Sequence, residues 1–270
     1  MNRVFSIAIV FVFLAGFPGV SNAQAAEERD LSKFFRGYRG TFVMLDVARN
    51  KYIRYNKEQS EKRLSPCSTF KIPNSLIGLE TGVIKDENFL IKWDGTKYSF
   101  DAWNRDHTLR SAIANSVVWY YQELASRVGE ERMRKYIHAI HYGNEDISGG
   151  IKKFWLLNSL KISANEQVDF LRRLYGNDLP FSQRSMDITK KIIKLDENDL
   201  RVFCGKTGSG METSADGKVK GVLGWFVGYV VWKDQSNACI FTTNIEGEDG
   251  ANGKQAREIS EAILKDMGLL

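Results

Sequence analysis

The chain has 270 residues, 43% of them hydrophobic, with 38 Lys and Arg against 33 Asp and Glu and a formal net charge of +5. That size fits one compact domain or two intimately packed subdomains, and the sequence holds no repeats, low-complexity linker or long Pro/Gly/Ser stretch. The basic excess is mild and dispersed. Runs such as Arg172-Arg173 and Lys190-Lys191 are separated by apolar residues at helical spacing, so they read as solvated helix faces and exclude a nucleic-acid patch.

The chain opens on a secretory signal pattern. Arg3 supplies the positive start, Val4 to Leu14 is almost unbroken apolar, and Ser21-Asn22-Ala23 gives small residues at a cleavage site. The apolar run is too short to span a bilayer comfortably, and no cysteine near the cut offers a lipid anchor. Residues 1–23 are therefore expected to be removed on export and residues 24–270 to form the mature domain, periplasmic or secreted. Losing Arg3 takes the net charge from +5 to +4.

Gly40 to Asn56 alternates as a hairpin, with Thr41–Leu45 and Tyr52–Tyr55 flanking a turn at Ala48–Lys51. Pro66 stops any earlier helix, and a short helix is predicted to begin at Ser68. Leu109, Ile113, Val117, Tyr120, Leu124 and Val128 recur at spacings of three and four, which predicts helix, as does 165–175. Strands return at 201–206, 222–232 and 238–245, with a turn at 233–237. Ala256, Ile259, Ala262, Ile263 and Met267 make a closing amphipathic helix ended by Gly268. The fold class predicted is α+β: an antiparallel sheet shared by the first and last thirds, flanked by terminal helices, with an inserted helical subdomain. A site between two such halves is where concave pockets form.

Cys67, Cys204 and Cys239 show no paired or metal spacing and read as free and buried. His107, His138 and His141 form no ligand cluster, so no metal is expected. The chemistry lies elsewhere. Ser68-Thr69-Phe70-Lys71 is the one Ser-x-x-Lys here, and Lys206-Thr207-Gly208 the one Lys-Thr-Gly. A hydroxyl with an amine three residues on is a nucleophile beside its own proton acceptor. Phe70, Ile72, Leu76 and Ile77 surround Lys71, so its amine is expected to be desolvated, which lowers its pKa. The alternative is a Lys71 that reaches out to water. Lys-Thr-Gly on a strand offers a cation and a hydroxyl to an anionic substrate, and its glycine allows close approach.

With these in place, four motifs in order resemble the class D, oxacillinase-type serine β-lactamases across the whole mature chain. They are Ser68-Thr69-Phe70-Lys71, Ser116-Val117-Val118, Tyr142-Gly143-Asn144 and Lys206-Thr207-Gly208, with Trp155 in a Phe-Trp-Leu stretch after the third. The resemblance implies the serine β-lactamase and penicillin-binding fold and hydrolysis of β-lactam antibiotics. Ser68 would be acylated. Lys71, carboxylated by carbon dioxide or bicarbonate, would be the general base, in a pocket walled by Phe70, Val118, Trp155 and Leu156. The Trp155 indole N–H can hydrogen-bond that carbamate. Ser116 would pass a proton to the lactam nitrogen with Lys206 beside it, and Lys206 and Thr207 would help hold the substrate carboxylate. Arg257 resembles the family's carboxylate-binding arginine by position, a helix-surface arginine being the alternative. The backbone N–H groups of Ser68 and Ser209 would form the oxyanion hole. Tyr142 is read as a wall of the cleft. No cofactor beyond the source of the carbamate is implied, and the partners are small-molecule β-lactams, with no nucleic acid and no stable membrane anchor. In that fold the Cys204 and Cys239 strands flank a third, roughly 9.5 Å apart, so no bridge forms.

A phosphate loop fails because position 200 is Leu200 where a glycine is needed, and no Gly-x-Ser-x-Gly elbow is present. Two rivals share the fold: a sensor that is acylated and stays so, and a cell-wall transpeptidase or carboxypeptidase. The latter usually carries Ser-x-Asn where this chain has Ser116-Val117-Val118. Substrate preference within the β-lactams rests on loop geometry, as at Trp103–Leu109 and Val222–Trp225.

Overall fold

Strand-forming segments from the two ends of the chain meet in one sheet. The structure, a computed structural model, describes residues 26–213 and 219–270, and the signal segment 1–23 lies outside the described residues. In chain order the elements open with β1 (Glu27–Glu28), α1 (Ser32–Phe35), β2 (Arg39–Asp46) and β3 (Lys51–Tyr55). The middle holds α2 (Lys57–Glu61), α3 (Lys71–Glu80), β4 (Leu90–Ile91), β5 (His107–Thr108), α4 (Leu109–Ala114), α5 (Val118–Val128), α6 (Glu130–Ala139), α7 (Ala164–Tyr175) and α8 (Gln183–Ile192). The chain closes with β6 (Lys194–Glu197), β7 (Arg201–Thr213), β8 (Val219–Trp232), β9 (Ala238–Glu246) and α9 (Gly253–Asp266).

Seven strands run in the order β1-β3-β2-β9-β8-β7-β6, antiparallel except for the short β1–β3 pair. Both faces of this sheet are buried, and the period-2 side-chain alternation shows why. In β2, Val43 and Leu45 enter the core shared with the helical subdomain, while Phe42 and Met44 enter a second core under α1 and α9. The α+β arrangement read from the sequence is thus the arrangement found. Cys204 pairs with Tyr229 across β7–β8, and Cys239 pairs with Val230 across β8–β9. They lie two strands apart in different cores, and all three cysteines are free and buried.

Three local features differ from the sequence reading. Ser68 does not start the α-helix; it lies in a 3-10 turn, Cys67–Phe70, that runs directly into α3. The 109–128 periodicity belongs to two helices, because the backbone breaks at Asn115–Val117 with Ser116 left-handed at φ 52°. Helices α6 and α8 add to the middle, where the sequence offered only sparse apolar periodicity.

Candidate active site

The 3-10 turn decides the first contact. At three residues per turn, side chains at i and i+3 eclipse, which stacks Lys71 over Ser68, and a 2.6 Å hydrogen bond joins Lys71 Nζ to Ser68 Oγ. Ser68 is half-buried, while Lys71 is fully enclosed. Among the described residues no carboxylate pairs with Lys71; the face of the Tyr121 ring lies 5.5 Å from its Nζ. Burial pushes the Lys71 amine well below the ordinary lysine range, and the nearby Lys206 charge adds to this. That shift favours the neutral form of the amine, which lies directly against the Ser68 hydroxyl.

The broken helix supplies the second contact. Val117 N–H donates to Ala112 O at 2.9 Å, closing a tight turn that throws Ser116 outward. A left-handed serine costs on the order of 1–3 kcal/mol, and here it projects the hydroxyl toward β7. Lys206 Nζ donates to Ser116 Oγ at 3.1 Å, to Thr207 O at 2.9 Å and to Thr207 Oγ1 at 3.4 Å. Burial lowers Lys206 to about 7. Val118, Leu156 and Leu157 line the same cleft as Ser68, Ser116, Thr207 and Ser209, in a volume of about 550 Å³.

Close approach of β7 to the nucleophile turn depends on Gly208. A Cβ there would fall 2.9 Å from Pro66 O and 3.3 Å from Ser68 N. No side chain fits, so the strand lies against the Ser68 backbone amide. On the far side, Ser65 acts as a knot: its hydroxyl donates to Trp155 O and accepts from Leu157 N–H, both at 2.9 Å, while its own carbonyl accepts from Trp225 Nε1 at 2.9 Å.

Trp155 stacks on Phe70, the residue next to Lys71, with ring centroids 5.5 Å apart. It is fully buried, and its indole N–H has no hydrogen-bond partner among the described residues. Buried donors are ordinarily paired, so this orphan, on a ring stacked against the chain neighbour of the enclosed Lys71, is a donor that a carbamate on Lys71 could satisfy. The donor set fits that group.

Two candidates lie elsewhere. Arg257 is drawn along its helix to Glu261, 2.7 Å away, and stacks over Phe226; it lines a separate hollow with Arg201 and Lys265. The structure does not bring it to the cleft. Tyr142 is fully buried behind Phe70, its OH donating weakly to Gln167 at 3.4 Å, and forms no part of the cleft wall. Residues the sequence reading passed over include Tyr121, Asn252, Phe100 and Met211. The last two are exposed apolar side chains on the cleft rim, and their isolation in the sequence gave no periodic signal.

Comparison with known proteins follows the same lines. The penicillin binding protein transpeptidase domain family matches residues 40–265. Probable beta-lactamase YbxI of Bacillus subtilis is 40% identical over 271 residues, covering 97% of each chain. The class D beta-lactamase BAT-2 superposes with a TM-score of 0.81 at 43% identity, over 90% of this chain and 97% of that one. The C-terminal domain of the Bacillus licheniformis BlaR penicillin-receptor gives 0.84 at 39% identity, over 91% and 97%. Among the described residues no helix is long and apolar enough to cross a membrane.

Proposed function

This chain belongs to the penicillin-binding transpeptidase family and, within it, to the class D serine β-lactamases; on that premise we propose that it hydrolyses β-lactam antibiotics through an acyl-enzyme on Ser68. The observation that carries the proposal is the enclosed Lys71 amine, 2.6 Å from Ser68 Oγ.

The Ser68 hydroxyl adds to the lactam carbonyl carbon as its proton leaves toward Lys71. Charge on the carbonyl oxygen is received by the backbone N–H groups of Ser68 and Ser209; removing one such donor typically costs about 10² to 10³ in rate. The C–N bond then breaks, and the lactam nitrogen takes a proton from Ser116, which Lys206 resupplies across 3.1 Å. Water enters for the second half, attacks the Ser68 ester and releases the opened acid. A carbamate formed on Lys71 from bicarbonate supplies a general base for both halves. Phe70, Val118, Trp155 and Leu156 keep its surroundings dry, and Trp155 orients it. The signal pattern at residues 1–23 would deliver the chain outside the cytoplasm, where it would confer resistance.

A persistent acyl adduct is the competing reading, and the likeness to the BlaR receptor domain favours keeping it in view. Electrospray mass measurement of the protein after mixing with excess penicillin separates the two. Hydrolysis predicts many product equivalents and mostly free protein when substrate is exhausted. A sensor predicts one stable adduct per chain.

A further inference from the structure

Tyr142-Gly143-Asn144 is the one motif of the four with no part in the chemistry above, and it stands at the start of a long irregular segment. Residues 145–161, between α6 and α7, form no helix or strand. They nevertheless carry Leu156 into the cleft and Trp155 against Phe70. A loop of that length inside a compact domain needs side chains to hold it, because no ladder pairs its backbone groups.

The middle of the loop is tied to the nucleophile turn by Ser65 and to α5 by Gln122, whose side chain donates to Lys152 O at 3.0 Å. The returning end, residues 159–161, is held from Asn144, which is exposed and does not line the cleft. Asn144 Nδ2 donates to Ser159 O at 2.9 Å, while its Oδ1 accepts from Lys161 N–H at 2.8 Å. Its backbone N–H donates to Lys161 O at 2.9 Å. One amide side chain thus spends both its donor and its acceptor on distant main chain. Gly143 permits the approach: it is left-handed at φ 60°, and a Cβ there would strike Lys161 O. Ser159 extends the cross-link inward, its hydroxyl donating to Asp146 O and accepting from Gly149 N–H, both at 2.9 Å.

We propose that Asn144 is a positioning residue for the release step: from the surface, its side chain closes residues 145–161 into one fixed loop and so sets Leu156 and Trp155 for attack of water on the Ser68 ester. The proposal rests on β-lactam hydrolysis through Ser68 and names a group outside the cleft that governs its second half. Acylation depends less on Asn144, because the Ser68–Lys71 and Ser116–Lys206 contacts are made without the loop.

The test measures three quantities on Asn144→Ala with benzylpenicillin: the acylation rate by stopped flow, the decay of the Ser68 adduct by mass, and amide hydrogen exchange along the loop. Adduct decay should slow about tenfold, the size of one lost hydrogen bond, while second-order acylation changes less than about threefold. The Lys161 amide should exchange at least about tenfold faster. Asn144→Asp keeps an oxygen for Lys161 N–H and loses the donor to Ser159 O, so its decay should fall between wild type and Asn144→Ala with the Lys161 amide still protected. A merely destabilised variant would lose active fraction, and hence amplitude, with both rate constants unchanged; that result would overturn the proposal. So would equal losses in acylation and decay, or a Lys161 amide as protected in Asn144→Ala as in wild type. Wild-type adduct that never decays would overturn the hydrolysis on which the proposal rests, and it is read on the wild-type protein alone.

Discussion

Replacing Trp155 with Phe separates two effects that usually move together. The indole N–H is buried and unpaired, a state that costs on the order of 1–3 kcal/mol. Phe removes that donor but also part of a ring enclosed by Phe70 and Phe154. The lost packing costs about 1–2 kcal/mol, comparable to removing a methyl group or two with partial relaxation. The terms oppose each other, so without bicarbonate the Trp155→Phe variant should lie within about 1 kcal/mol of wild type, a melting shift of about 2–4 °C at most. With bicarbonate at 100 times its dissociation constant, wild type gains about 2.7 kcal/mol. The variant should lose most of that gain, since one hydrogen bond to the charged carbamate contributes about 1.5–3 kcal/mol. Penicillin turnover should fall about 10²-fold or more, as for a misplaced general base, with Ser68 adduct accumulating. Paired thermal melts with and without bicarbonate, alongside turnover, are the assay. A variant that keeps wild-type turnover and the full bicarbonate stabilisation would refute the role given to Trp155.

Gly208→Ala should cost about 1–3 kcal/mol of stability through a clash with Pro66 O that backbone cannot relieve cheaply, and about 10² in acylation rate as β7 withdraws from the Ser68 amide; an unchanged stopped-flow rate would contradict the close approach. Burial lowers Lys206 to about 7, so between about 7 and the unfolded lysine value near 10.4 the unfolded chain binds the extra proton. Stability therefore rises with pH across that window. The slope should be shallower in Lys206→Met, and parallel urea titrations at pH 6.5 and 9 check it. Burial pushes the Cys67 and Cys204 thiols up to about 11 and Cys239 to about 12. All three should resist a thiol reagent at pH 8 in the native protein and react in denaturant, and rapid native labelling of Cys67 would show that the nucleophile turn opens.

Much of the fold was legible because burial leaves a repeating mark. The alternation in β2, β8 and β9 and the apolar stripe of α9 follow from sheet and helix faces against two cores. The same signal concealed the break before Ser116. Leu109, Ile113, Val117, Tyr120, Leu124 and Val128 are all buried, so the apolar face continues while the backbone does not. Periodicity reports burial and carries no trace of one left-handed residue. Helix α6 escaped notice because Met133 and Ile137 alone are buried on it. At the site, Ser68, Lys71, Ser116 and Lys206 were readable as motifs since their chemistry fixes residue types. Arg257 misled because position along α9 says nothing of the i,i+4 carboxylate at Glu261 that draws it away. The Asn144 cross-link depends on Lys161, 17 residues on in the chain, a contact that no local pattern encodes.

The most direct measurement follows a penicillin in large excess over the purified protein, with and without bicarbonate, and weighs the protein when absorbance stops changing. Many turnovers, raised by bicarbonate and abolished in Lys71→Ala, are the predicted result. One equivalent consumed, with a lasting adduct on Ser68, would contradict hydrolysis and make the chain a β-lactam-acylated binding domain.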